Sequence, residues 1–197
     1  MARIAKKQLK EDKLLSTTAK ISEFLNKYWG HIVGVIVAIA VVIAAIVLYG
    51  NYVTGRNEKV ARSFNEAKDI FNKAEAALGI EEDAESVAGQ YEESRTKFQA
   101  VSQKNGHRDT ISKALFYSAK CSYRLGKYSE AISGFQSFAN KYSKSMLAIH
   151  VQRAIGNCYE QLGGDENLRK AIQQYDIVLK APETDATLEA VMDKGRC

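Results

Sequence analysis

Proline occurs once in 197 residues, at Pro182, and glycine thirteen times. That excludes a collagenous, proline-rich or low-complexity chain. Cysteine occurs three times, an odd number with no Cys-x-x-Cys pair, so a disulfide framework and a cysteine-based zinc site are excluded as well. The sequence contains no Gly-x-Gly-x-x-Gly, Walker, Gly-x-Ser-x-Gly or His-Glu-x-x-His string, the short patterns that place catalytic or phosphate-binding groups. His31, His107 and His150 are scattered. Catalysis needs a base, a nucleophile or a metal held in one constellation, so we expect no enzymatic activity, no metal and no cofactor.

Charge is missing from one long stretch: no Lys, Arg, Asp or Glu lies between Lys27 and Arg56. Its middle, Ile32 to Leu48, holds only Ile, Val, Ala, Gly and Leu, flanked by Gly30 and Gly50. About 20 such residues cross ~30 Å of hydrocarbon as a helix, which argues against a wholly soluble single domain. A cleaved signal peptide is the rival reading. The charged region before the run is too long for it, the run exceeds the ~7–15 residues of a signal core, and no small-x-small site follows. Tyr28 and Trp29 at one end, and Tyr49 and Tyr52 at the other, stand where aromatic rings settle at lipid headgroups.

The net charge of +5 divides unevenly. Residues 1–27 carry seven Lys/Arg against three Asp/Glu, leaving 21 against 20 for residues 51–197. A nucleic-acid-binding body would concentrate cations on itself, and this one is nearly neutral. Seven cations before the run against Arg56, Lys59, Arg62 and Lys68 after it favour a cytoplasmic N-terminus. The large domain is then extracytoplasmic, and periplasmic in a two-membrane bacterium.

Gly30, Gly34 and Ala38 form a small-residue stripe, either a close-approach face for a second helix or ordinary lipid-facing composition. His31 reads as an interfacial side chain. On the arm, Leu14, Leu15, Ile21, Phe24 and Leu25 stand at helical spacing among lysines. They suit a helix on the anionic inner leaflet or a solvated juxtamembrane helix. Four regions follow: a charged cytoplasmic arm (1–29), a transmembrane helix (30–50), a linker with a first helix (51–87), and a helical repeat region (88–197). A signalling receptor would need an output module larger than this arm.

Beyond Arg56 the apolar period is helical. Val60, Phe64, Ala67, Phe71, Ala74 and Leu78 share one face, as do Tyr91, Ser94, Phe98 and Val101, and Ile111, Leu115, Ser118, Ser122 and Leu125. Breaks at Gly79, Asn105-Gly106, Gly126, Ser143 to Ser145, Gly163-Gly164 and Pro182 separate the helices in pairs. The pairs recur: Ser94, Ala131 and Ala171, and likewise Phe98, Phe135 and Tyr175, stand 37 and 40 residues apart. Helix pairs repeated every 34–40 residues mark an α-solenoid.

Ala114-Leu115, Ala119, Leu125-Gly126, Tyr128, Glu130-Ala131-Ile132, Phe135 and Phe138 resemble one tetratricopeptide repeat. A second copy reads Ile155-Gly156-Asn157-Cys158-Tyr159, Leu162-Gly163, Ala171-Ile172 and Tyr175. Phe135, Phe138, Tyr142 and Ser145 are similar to the longer-period repeats of bacterial envelope proteins, with Ser143 in place of their usual proline. With the charged arm and single span, the layout resembles the ancillary subunits of the SecYEG translocon, the YfgM-like family, whose repeat domain is related to that of the cell-division coordinator. The resemblance implies an all-α chain, a transmembrane helix followed by a repeat solenoid, acting as a protein-binding adaptor or chaperone-like translocon-associated protein. Its partners would be translocon components, exported clients or envelope-assembly proteins, with homo-oligomers allowed. A cell-envelope scaffold in division or outer-membrane assembly is the alternative.

In that family the first helix of each pair lines the concave surface. The matching positions here are Lys113, Phe116, Lys120 and Tyr123, then His150, Arg153, Asn157 and Glu160. Mixed aromatic and charged residues on a groove suit an extended or helical protein segment, and Arg153 and Asn157 together suit a carboxylate. Cys121, Cys158 and Cys197 hold the same repeat position and read as small packing residues; Cys121 and Cys158 are expected not to bridge. Leu188, Val191 and Met192 open the pattern of another first helix. Their apolar character leads us to expect either a longer natural chain or a partner over this helix.

Overall fold

The computed structural model describes the backbone of residues 2–78, 84–181 and 185–197, and side chains within these from residue 26 onward. Everything described is helix or turn: α1 (Ala2–Ala77), α2 (Ala84–Ser102), α3 (Arg108–Arg124), α4 (Tyr128–Lys141), α5 (Ala148–Leu162), α6 (Asp165–Leu179) and α7 (Asp185–Arg196). The expected breaks at Gly79 and Pro182 lie outside the described residues, as do the side chains of Leu14, Leu15, Ile21, Phe24 and Leu25. Two compact units divide the chain, Met1–Thr54 and Gly55–Cys197.

In the first unit one helix is long and apolar enough to cross a membrane. Its side chains from Val35 to Leu48 are exposed among the described residues. A Cβ on Gly30 or Gly34 would meet no atom within 4 Å, so no neighbour occupies the small-residue stripe among the described residues. The linker expected after Gly50 is instead helical, since α1 continues through Ala77. Gly50 and Gly55 each cost only ~1 kcal/mol in a helix, and no proline follows to end it.

The second unit is a stack of helix pairs. Residues 55–77 of α1 pair with α2, α3 with α4 and α5 with α6, and α7 packs on both α6 and α5. The core lies in three successive clusters. The first holds Val60, Phe71, Tyr91 and Phe98; the second Phe135, Phe138, Val151 and Ile155; the third Ala171, Tyr175, Ala186 and Ala190. The recurrent positions are fully interior: Ser94, Ala131 and Ala171, and Phe98, Phe135 and Tyr175. They pack where the two helices of a pair approach most closely. Ser94 Oγ donates to the Ala67 carbonyl at 2.9 Å, and a Cβ on Gly134 would lie 2.9 Å from that of Ala119.

The turn after α3 explains the break at Gly126. With φ of +71°, this residue lets its own N–H reach the Tyr123 carbonyl and the Lys127 N–H reach that of Ser122, closing the helix in a Schellman motif. The equivalent turn after α5 uses Gly163 and Gly164, both at positive φ, and is no longer than the first; the three extra residues of the 40-residue period lengthen the start of α6, which opens six residues before Ala171 where α4 opens three before Ala131. Cys121, Cys158 and Cys197 are free thiols, the first two buried and the last half-buried. Leu188, Val191 and Met192 on α7 are exposed.

Candidate functional site

Spacing places the site. On α3, Phe116, Lys120 and Tyr123 stand four and three residues apart and form one stripe; on α5, His150, Arg153 and Asn157 do the same. Because α3 and α5 are first helices of consecutive pairs, the stripes face each other across a cleft of about 370 Å³, completed by Arg124, Phe135 and Ala154. The aromatic side of the cleft is continuous with the core: Phe116 packs against Phe135 and Phe138 with ring centroids 5.7 and 6.3 Å apart. Tyr123 lies 5.5 Å from Tyr128, and burial pushes its hydroxyl above the ordinary phenol pKa.

The cations at this surface differ in what already engages them. Arg124 gives two hydrogen bonds to Glu75, 2.6 and 2.7 Å, and Tyr91 donates to the same carboxylate at 2.9 Å. Burial would raise the Glu75 carboxyl, but the bonds from Arg124 and Tyr91 outweigh it and hold the pKa below the usual carboxylate value. Lys120 has no carboxylate within ion-pair distance among the described residues and stands 5.0 Å from the Phe71 ring. Lys68 lies 3.9 Å from the centroid of Tyr117, a second cation over an aromatic face. Ammonium groups satisfied by rings rather than carboxylates remain open to an anionic group of a ligand.

Six of the eight positions implied by the resemblance therefore line one cleft: Phe116, Lys120, Tyr123, His150, Arg153 and Asn157. The other two do not. Lys113 bends along its own helix to Asp109, 2.6 Å away, and borders a neighbouring cleft with Tyr142 and Met146. Glu160 accepts from Arg196 at 3.0 Å and lies 2.9 Å from the Tyr175 hydroxyl.

The shared carboxylate site expected of Arg153 and Asn157 is also corrected. Arg153 already holds two carboxylates of its own chain, Asp193 at 2.6 Å and Glu189, both from α7. Asn157 Oδ1 lies 2.7 Å from the Tyr175 hydroxyl. Sequence reasoning missed Arg124, eight residues beyond Phe116 on the same helix face, where the helical period would have found it. It also missed Phe135, whose repeat position marks it for packing.

No curated protein matches the chain. Residues 113–145, which hold most of α3, all of α4 and the start of the turn after it, match the tetratricopeptide repeat, a module that mediates protein–protein interaction.

Proposed function

We propose that this protein is a non-enzymatic, single-pass adaptor of a bacterial inner membrane, whose repeat domain outside the cytoplasm takes segments of other proteins in the α3–α5 groove. Translocon components and exported clients are the partners this reading names, in a chaperone-like role. The observation that carries it is the groove itself, with Phe116 and Tyr123 as apolar anchors beside Lys120, a cation with no carboxylate within ion-pair distance among the described residues. Aromatic anchors in a pocket supply most of the energy of such interfaces, and a nearby charge selects the register. The scattered histidines and the burial of the free thiols Cys121 and Cys158 favour binding over chemistry.

A photo-crosslinker in place of Phe116 or Tyr123 tests this in intact membranes. Adducts with translocon subunits or exported polypeptides are expected, and Lys120→Glu should reduce them roughly tenfold, the ~1.4 kcal/mol typical of losing one charged contact. Adducts with cytoplasmic enzymes alone would refute the reading.

Topology is tested separately. The excess of Lys/Arg before the apolar run supports a cytoplasmic arm, so protease added to spheroplasts should digest residues 57–197 and spare residues 1–29. Digestion of the arm alone would reverse the orientation and remove the translocon role with it.

A further inference from the structure

The second unit is nearly neutral as a whole, but its cations are not evenly placed. Turns from one pair to the next lie at one edge of the stack and turns within pairs at the other. The within-pair edge is rich in ion pairs: Arg95 with Glu92 and Glu130, Lys127 with Glu92, Lys170 with Glu166 and Arg196 with Glu160. The between-pair edge carries Lys104, Arg108, Lys141, Lys144 and Lys180, all exposed. None of these five has a carboxylate within ion-pair distance among the described residues. The carboxylates at this edge are fewer: Asp109 is taken by Lys113 and Glu58 stands 4.0 Å from Arg62, while Asp185 opens α7.

These groups form one surface. Lys104 Nζ donates to Ser63 Oγ at 3.1 Å; Arg108 donates to the Lys141 carbonyl at 3.2 Å and lies over the Tyr142 ring. Arg108, Lys113 and Lys144 then border a cleft of about 580 Å³ together with Tyr142 and Met146. Met146, 95% exposed, lies on the rim of this cleft, which Asp109 also lines. An unpacked methionine rimmed by lysines fits a surface whose outer layer is anionic and whose interior is apolar.

We infer that the between-pair edge of the repeat domain docks on anionic phospholipid, with Met146 entering the headgroup layer and Arg108, Lys141 and Lys144 meeting the phosphates. The inference goes beyond the groove reading and rests only on the membrane-anchor part of it. Two observations favour lipid over an acidic protein. Uncompensated cations beside an exposed apolar side chain are the signature of interfacial binding. The chain also leaves the apolar run at Gly50 and enters this unit at Gly55, a short covalent link to any membrane that the run spans. Such a tether converts a weak surface attraction into an intramolecular one at high effective concentration.

The test uses the full chain in nanodiscs, with a fluorophore on Met146→Cys in a Cys197→Ser background and a spin-labelled quencher on the lipid headgroups. Cys121 and Cys158 stay unlabelled, because burial pushes their thiols up to about 11 and about 12. In discs containing phosphatidylglycerol the fluorophore should be quenched. Pure phosphatidylcholine, about 0.5 M salt, or the double substitution Arg108→Glu with Lys144→Glu should each cut the quenching at least threefold. The same label on Ser129→Cys, at the opposite edge, should stay bright throughout. Equal quenching in the two lipids, or none in the anionic one, overturns the inference. A chain that does not enter nanodiscs at all refutes the membrane anchor as well, whereas loss of groove crosslinks leaves this docking untouched.

Discussion

Gly156→Val is expected to destabilise the repeat domain by about 3 kcal/mol, the upper range for overpacking a filled interior. Valine is slightly the better helix former, so local propensity alone predicts the opposite sign. Packing decides the outcome. A Cβ on Gly156 would lie 2.5 Å from Cε1 and 2.9 Å from Cδ1 of Tyr175, and valine adds two further methyls. That ring has no exposed surface, and its hydroxyl is anchored between Asn157 Oδ1 and Glu160 Oε2, 2.7 and 2.9 Å away. It cannot slide aside without abandoning both acceptors.

Gly89, on the exposed face of α2, is the control: a Cβ there meets nothing within 4 Å. Gly89→Ala should stabilise by roughly 0.5–1 kcal/mol from helix propensity alone. Thermal unfolding in detergent, followed by circular dichroism, reads both. At about 2–4 °C per kcal/mol for a chain of this size, the two variants should move the midpoint in opposite directions. If Gly156→Val melts with the parent, Tyr175 does not fill the space between α5 and α6.

The helix pairs were legible because their signals are local. Gly126 and Gly163 stand where only positive φ ends a helix compactly, and the 37- and 40-residue spacings of Ser94, Ala131 and Ala171 mark interior positions that repeat. The stripe on α3 was legible for the same reason, since residues 116, 120 and 123 must share a helical face. What the sequence did not disclose is long-range. Arg153 meets partners 36 and 40 residues away on α7, and periodicity places a charge on a face without naming its counter-ion. The continuity of α1 past Gly50 is not legible either, because glycine's cost in a helix falls short of what breaks one that neighbouring residues support. The basic edge was hidden by arithmetic: a net charge near zero says nothing about where the cations collect.

Those long-range ion pairs lead to a second large effect, on α7. This helix brings little apolar area to the stack, chiefly Ala186 and Ala190, while Leu188, Val191 and Met192 face away. What ties it down is Asp193, 3% exposed, whose carboxylate accepts from Arg153 Nε at 2.6 Å and Arg196 Nη2 at 2.7 Å. Removing one member of a buried ionic cluster costs about 3–5 kcal/mol, because the remaining charge stays behind without its partner. Here Arg153 keeps Glu189 and Arg196 keeps Glu160, so we expect about 2–3 kcal/mol for Asp193→Ala, concentrated in α7. Amide hydrogen exchange over residues 185–196 should then quicken roughly 30- to 150-fold, at ~1.4 kcal/mol per factor of ten. Exchange in α3 and α4 should hardly change, since repeat stacks couple mainly through nearest neighbours. Asp193→Asn keeps an acceptor of the same shape and should lose less. If α7 exchanges at the parental rate in Asp193→Ala, its packing on Ala186 and Ala190 suffices and the ion cluster is incidental.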